Sequence, residues 1–191
     1  MKQTIKVIRS ARRTISLEIT PSGQVLVRAP RYMSETEIRK FIEAKSSWLE
    51  RHLQKQEEDL GSVQAEGRFT EQEVEKLIKL ARQVIPEKVA YYSRLMGVTY
   101  GRVTIRKQKT RWGSCSREGN LNFNCLLMMV PPEVLDYVVV HELSHRLEMN
   151  HSVRFWAQVE KVIPDYRKSR KWLKEHGGRL MLRMHGSNDV E

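Results

Sequence analysis

The sequence predicts an α+β protein, in which an N-terminal β-hairpin plus helix forms an arm ahead of a larger mixed domain. Three observations predict it. Short runs rich in β-branched residues fall in two separate clusters, near 4–28 and 103–124. Each cluster is followed by longer stretches whose apolar residues recur at helical spacing. Two of those stretches open on capping boxes, Ser34 with Glu37 and Thr70 with Glu73, where side chain and backbone satisfy each other at a helix start.

The first cluster reads as strands over 4–8, 14–19 and 25–28, the last two joined by a hairpin loop at Pro21-Ser22-Gly23. The stripe Ile38, Phe41, Ile42, Trp48, Leu49 and Leu53 then predicts one helix. Charge changes sign after it. Residues 1–56 carry twelve Lys or Arg against five Glu, and residues 57–75 carry seven acids against one Arg. With Gly61 and Gly67, that shift places a boundary here. The expected organisation is an arm over 1–56, a polar connector over 57–69, a main domain over 70–178 and a loosely ordered tail over 179–191.

In the main domain, Val74, Leu77, Ile78 and Ala81 share one helix face. Pro86 is expected to kink or restart that helix, and Gly97 to stop it. Residues 103–105 and 121–124 read as strands, with a turn at Glu118-Gly119-Asn120 between them. Pro131-Pro132 marks the start of a long helix, because proline fits a first helical turn. Its expected core face is Val134, Leu135, Val138, Val139, Leu143 and Leu147. Helices over 153–163 and 166–175 follow, with Gly177-Gly178 closing the second.

The balance is basic, 34 Lys or Arg against 23 Asp or Glu, for a formal net charge of +11. Such a charge suits anionic partners, including nucleic acid, and is equally met on a solvated surface. No stretch approaches the ~18 apolar residues of a membrane helix, so no membrane partner is expected. The charged start has no apolar run behind it, which argues against a signal peptide. Two cysteines, Cys115 and Cys125, are too few for a disulfide scaffold and read as reduced thiols of a cytoplasmic protein.

One motif carries chemistry. His141-Glu142-Leu143-Ser144-His145 is H-E-x-x-H, inside the helix that Pro131-Pro132 opens. Residues four apart share a helix face, so both imidazoles reach one ion. Glu142 then lies beside a water on the metal, where it serves as general base. Shuffled chains of this composition hold the pattern about 2 times in 100, so alone it is moderately specific. His151, past an expected helix end at Met149-Asn150, lowers that chance below about one in a thousand. Three protein ligands with an open fourth position are the arrangement of catalytic zinc, although imidazoles also suit other divalent ions. Glu160 is the rival third ligand and also reads as a solvated carboxylate. His52, His176 and His185 have no partners at metal spacing. The ligand spacing matches the metzincin pattern, but Glu148 stands at its glycine and no Met-turn follows, so that clan is not implied. Glu148 reads as a partner of a ligand imidazole or as a solvated helix-end residue.

The longer ordered set is Arg111-Trp112-Gly113-Ser114-Cys115-Ser116, Asn120-Leu121-Asn122, Pro132, 137–145, Asn150-His151-Ser152 and Phe155-Trp156. It resembles the YgjP-like family of zincin-like metallohydrolases, similar in its core to SprT and WLM domains. The likeness is strong over 80–176 and weaker in the arm, at Ser10, Arg12-Arg13-Thr14 and Trp48. It implies one zinc ion per chain at His141, His145 and His151, with Glu142 catalytic. It also implies a minimal zincin core, a twisted sheet packed on the active-site helix. In such cores a sheet edge above the metal helix takes extended peptide by strand addition. The segment 111–124 is the natural wall for that role. Asn120, Asn122 and Asn124 then face substrate or are ordinary strand polarity. Arg111 and Trp112 contact substrate or brace the loop by cation–π stacking. Tyr137 and Tyr166 are possible oxyanion donors, with packing as their default role.

The expected activity is therefore zinc-dependent hydrolysis of a peptide or protein. One alternative is a nucleoside triphosphate pyrophosphatase using the same site. The cations Arg102, Arg106, Lys107, Lys109 and Arg111 favour it, and the lack of a Gly-rich phosphate loop weakens it. Another is a DNA-associated protease of the SprT kind, its basic arm holding nucleic acid.

Overall fold

The computed structural model describes residues 5–20 and 23–185. Among them are six helices and two three-stranded sheets, a mixed α+β arrangement. Two compact units divide the chain, one taking the described residues up to Gly67 together with His185, the other running Arg68–Met184.

The first unit begins with β1 (Ile5–Ser10), β2 (Ser16–Ile19) and β3 (Val25–Pro30). β2 and β3 pair antiparallel, as a hairpin requires, and β1 pairs parallel with β3 on its other side. Central β3 is therefore the most buried strand, with Val27 and Ala29 fully covered. Thr4, Pro21 and Ser22 lie outside the described residues. α1 (Glu35–Ala44) opens on the expected capping box and buries Ile38 against Val27 and Ala29.

Two expectations in this unit need correction. The predicted single helix is two, because the chain leaves helical geometry at Lys45 and α2 (Ser46–Glu66) starts afresh. Ser46 and Ser47, which favour helix starts over interiors, fill its first turn. The acidic stretch read as a connector is also helical as far as Glu66. Its charges sit on a solvated face supported by bonds one turn apart, Gln54 to Glu58 at 3.1 Å and Lys55 to Asp59 at 3.8 Å.

The second unit opens with α3 (Glu71–Met96), capped by Thr70 and Glu73 and ended at Gly97. Pro86 does not restart it. Ala81, Ile85 and Val89 recur every fourth residue and are fully buried, so packing keeps the helix continuous past the missing donor. The bond Pro86 cannot make would end on Arg82, an exposed residue.

β4 (Val103–Arg106), β5 (Gly113–Cys115) and β6 (Leu121–Asn124) form the second sheet in the order β4-β6-β5. β4 runs parallel to β6, and β5 antiparallel to it. A short 3-10 turn, Cys125–Met129, leads to α4 (Pro132–Ser144), with proline in its first turn. α4 is apolar nearly all round and correspondingly buried, Tyr137, Val140, Glu142 and Ser144 included. Lys88 of α3 pairs with its Asp136. The helix ends at Ser144, so Leu147, expected in the core, is 47% exposed.

α5 (Val153–Val162) and α6 (Tyr166–His185) complete the fold. Gly177-Gly178 was expected to close the last helix and 179–191 to be a loose tail. Instead α6 continues through both glycines, and Leu180 is buried. Gly177 is there for space: a Cβ on it would lie 2.9 Å from Cζ2 of Trp112. Residues 186–191 lie outside the described residues. No described helix is long and apolar enough to cross a membrane.

Two of the helical glycines, Gly61 and Gly177, separate propensity from packing. Gly61 in α2 has open space around its Cβ position. Gly61→Ala is expected to stabilise by about 0.5–1 kcal/mol. Gly177→Ala gains the same helix term but drives a methyl into Trp112, and overpacking costs about 1–3 kcal/mol. Thermal unfolding followed by circular dichroism should raise the midpoint for the first and lower it for the second.

Candidate active site

α4 supplies the first part of the site. His141 and Glu142 are on it, and His145 is its C-cap residue, still in helical backbone geometry. One face of α4 thus presents Tyr137, His141 and His145 in successive turns. The chain then turns sharply, with Arg146 N–H bonding Leu143 O and Glu148 N–H bonding Ser144 O. A second turn, Ser152 N–H to Asn150 O at 2.7 Å, brings His151 back over the helix end. Ser152 then caps α5 by accepting from Phe155 N–H. The expected helix end at Met149-Asn150 thus falls earlier, and a tight turn places the third histidine.

The three imidazoles converge. One ring nitrogen of each of His141, His145 and His151 lies within 4.8 Å of the others. His151 Nε2 and His141 Nε2 face each other at 3.0 Å. Glu160, the rival ligand, is instead paired with Arg167 at 2.8 Å.

Each ligand ring is held differently. His145 Nδ1 faces Glu148 O at 3.3 Å, which leaves Nε2 for a metal. The partner offered by Glu148 is its backbone carbonyl, while its carboxylate lies 4.0 Å from Arg154. His141 Nδ1 is buried without a protein acceptor, so packing must orient that ring. Phe155 stands 4.9 Å from it, and Tyr137 and Trp156 each stand 5.8 Å away, centroid to centroid. Trp156 also stacks on His151 and on Tyr166. Burial holds the His141 imidazole down to about 3 and lowers that of His145. Both rings are therefore neutral with lone pairs available. Two facing imine nitrogens repel unless a proton or a cation stands between them. This donor set fits a divalent metal of the zinc class.

Glu142 is only 5% exposed. Burial pushes its carboxyl up to about 8, and the charge of Arg111 acts against that shift. Strand β5 reaches the carboxylate because position 113 is glycine: a Cβ there would lie 2.7 Å from Glu142 Oε1. A cleft of about 230 Å³ follows, lined by Arg111, Trp112 and Gly113 on one side and Tyr137, His141 and Glu142 on α4. Burial lifts the Tyr137 phenol to about 12, so it stays protonated. A larger groove, about 620 Å³, lies between β1 and α1 of the first unit and brings together no metal-binding or nucleophilic set.

The asparagines are placed elsewhere. Asn120 Oδ1 accepts from Arg102 N–H, and Asn122 Nδ2 donates to Ser114 Oγ within the sheet. Asn124 is fully buried, donating to Gln108 O and Arg111 O. These bonds brace the strands and the loop that carries Arg111. Cys115 is a half-buried thiol that burial pushes up.

Two contributors escape sequence reasoning. Gly113 lies in a stretch that reads as loop, and its role appears only where β5 meets α4. Arg146, inside the ligand segment, donates to Thr99 O at 3.0 Å and Arg117 O at 2.9 Å, tying both strand connections to the helix end. Gly119 against its guanidinium is the partner signal, a pairing invisible along the chain.

The family description "YgjP-like, metallopeptidase domain" matches residues 13–78 and 71–176, most of the chain. The chain belongs to the YgjP-like metallopeptidase-domain family. No curated protein matches the sequence. Among solved structures, the zymogen of abylysin, a metallopeptidase of Pyrococcus abyssi, matches at 24% identity and a TM-score of 0.44. That match covers 48% of this chain and 94% of the other. The family description implies a metal ion, and the histidine triad is the one cluster among the described residues that could hold it.

Elemental mass spectrometry checks the site. About one divalent transition metal per chain is expected for an open three-ligand site. His145→Ala should lose it after mild dialysis, while Glu160→Ala retains it.

Proposed function

We propose that this protein is a zinc peptidase in which Glu142 is the general base. The convergence of His141, His145 and His151 beside a buried Glu142 carries the reading. The three histidines would hold the metal. When bound, it supplies Lewis acidity, polarising the scissile carbonyl and acidifying the attacking water. Glu142 takes the proton of that water and returns it to the leaving amine. Its carboxyl, raised by burial, is matched to accepting and releasing a proton near neutral pH. Gly113 leaves room for that carboxylate, and Phe155 and Trp156 restrict the ligand rings.

Substrate positioning follows from the sheet. β5 is an edge strand. Trp112 O accepts from Asn124 N–H, and Ser116 N–H donates to Asn120 O. Backbone groups at 112, 114 and 116 thus point to β6, and those of Gly113 and Cys115 point away from it. An extended peptide adding to that edge would run along the cleft over Glu142. Arg111 at the cleft also supports a second reading, nucleoside triphosphate hydrolysis at the same site.

Glu142→Gln is expected to keep full metal content and to lower kcat by about 10²–10⁴, the range of a lost general base. Gly113→Ala should lower kcat in the same direction, because its methyl displaces the carboxylate, with metal content unchanged. Steady-state cleavage of a quenched fluorescent peptide library, beside elemental analysis, reads both. Loss of metal with Glu142→Gln would remove Glu142 from the role of base.

A further inference from the structure

Beyond the metal ligands, the cleft is electrostatically one-sided. Glu142 is its only acidic lining residue, and Arg111 stands across from it. A second cation approaches from α6. Arg170 places its guanidinium 4.8 Å from the centre of the Trp156 ring. That ring touches both His141 and His151, so Arg170 is one ring removed from two ligands. Leu173, one turn further along α6, lines the cleft itself.

Ion pairs within the fold account for only part of the charge on α6. Arg167, Lys168, Arg170, Lys171 and Lys174 crowd the first turns of α6, with no acid in its first turn. Positive charge at a helix N-terminus opposes the helix dipole. Arg167 is neutralised by Glu160, Lys168 by Asp165 and Lys171 by Glu175. Arg170 is in no carboxylate ion pair among the described residues, and Trp156 holds it in place by a cation–π contact. A guanidinium fixed on a ring yet left without a counter-ion is prepared for an anion from outside. Arg170 does not line the cleft itself and stands beyond the Trp156 ring. Extended peptide advances about 3.3 Å per residue, so side chains one or two residues from the scissile bond extend past the histidine rings toward it.

We infer that Arg170, seconded by Arg111, makes this cleft selective for peptides with an Asp or Glu side chain within one or two residues of the scissile bond. The inference rests on the peptidase reading and names its substrate class. Arg170 acts as a specificity residue, binding substrate without taking part in proton transfer.

The test uses full-length Glu142→Gln protein loaded with zinc, so that peptides bind without turnover. Fluorescence anisotropy compares library-derived peptides that differ only in Glu or Lys at one position. The Glu peptide is expected to bind about tenfold to a hundredfold more tightly, the range of a charge-assisted hydrogen bond. Adding Arg170→Gln should abolish the difference, and adding Arg170→Glu should invert it. A merely structural Arg170 would weaken both peptides alike. In catalytically active protein, Arg170→Gln should raise KM for acidic peptides more than it lowers kcat. Metal content of each variant reports that the site is intact. Equal binding of both peptides, or a Glu preference that survives Arg170→Glu, overturns the inference and leaves the peptidase reading standing. Failure of every peptide to bind, beside Arg170-dependent binding of a nucleoside triphosphate, overturns the peptidase reading, and the inference with it.

Discussion

A buried carboxylate meets a strand that has no side chain, and the second unit is built around that contact. Glu142 lies on a helix otherwise surrounded by apolar groups and is almost wholly withdrawn from water. Burying an ionisable group is expensive unless a polar face is left for it. Here the face is the cleft, which exists because β5 approaches α4 at Gly113 and closes over the carboxylate without filling its place. The approach fixes much else. Pairing Gly113 with Phe123 turns the unpaired backbone of β5 away from β6. It sends Trp112 toward α6, where Gly177 admits the ring, and leaves Arg111 at the cleft.

The orientation of the three histidines is divided among different kinds of interaction. A carbonyl orients His145, aromatic rings confine His141, and a tight turn followed by a serine cap delivers His151. None of these depends on a bound ion. The three imidazoles are therefore gathered by the fold itself, and less ordering cost falls on binding a cation. The same rings extend outward through Trp156 to Tyr166 and Arg170, so one aromatic stack both fixes ligands and presents a cation.

The site's parts differ in how legible they are. H-E-x-x-H and the later histidine are written along the chain, because helical periodicity alone puts His141 and His145 on one face. Capping boxes at Ser34 and Thr70 are local as well, and both form as expected. Composition misleads where packing overrules it: acidic residues do not stop α2, Pro86 does not stop α3, and Gly177-Gly178 does not stop α6.

The sequence by itself determined the α+β class, from its clusters of strand and helix patterns, and the candidate histidine cluster with the acid beside it, because those rest on spacing within a single helix and turn. Tertiary structure decided what surrounds them. It set Gly113 against Glu142, Gly177 against Trp112, Arg146 between two strand connections, and Arg170 over Trp156. It also engaged Asn120, Asn122 and Asn124 in bonds that brace the sheet and the Arg111 loop, with Asn124 fully buried. Each of those is a contact between residues distant in the chain. Their partners are chosen by which backbones approach closely enough to exclude a Cβ, and periodicity along one element carries no information about that.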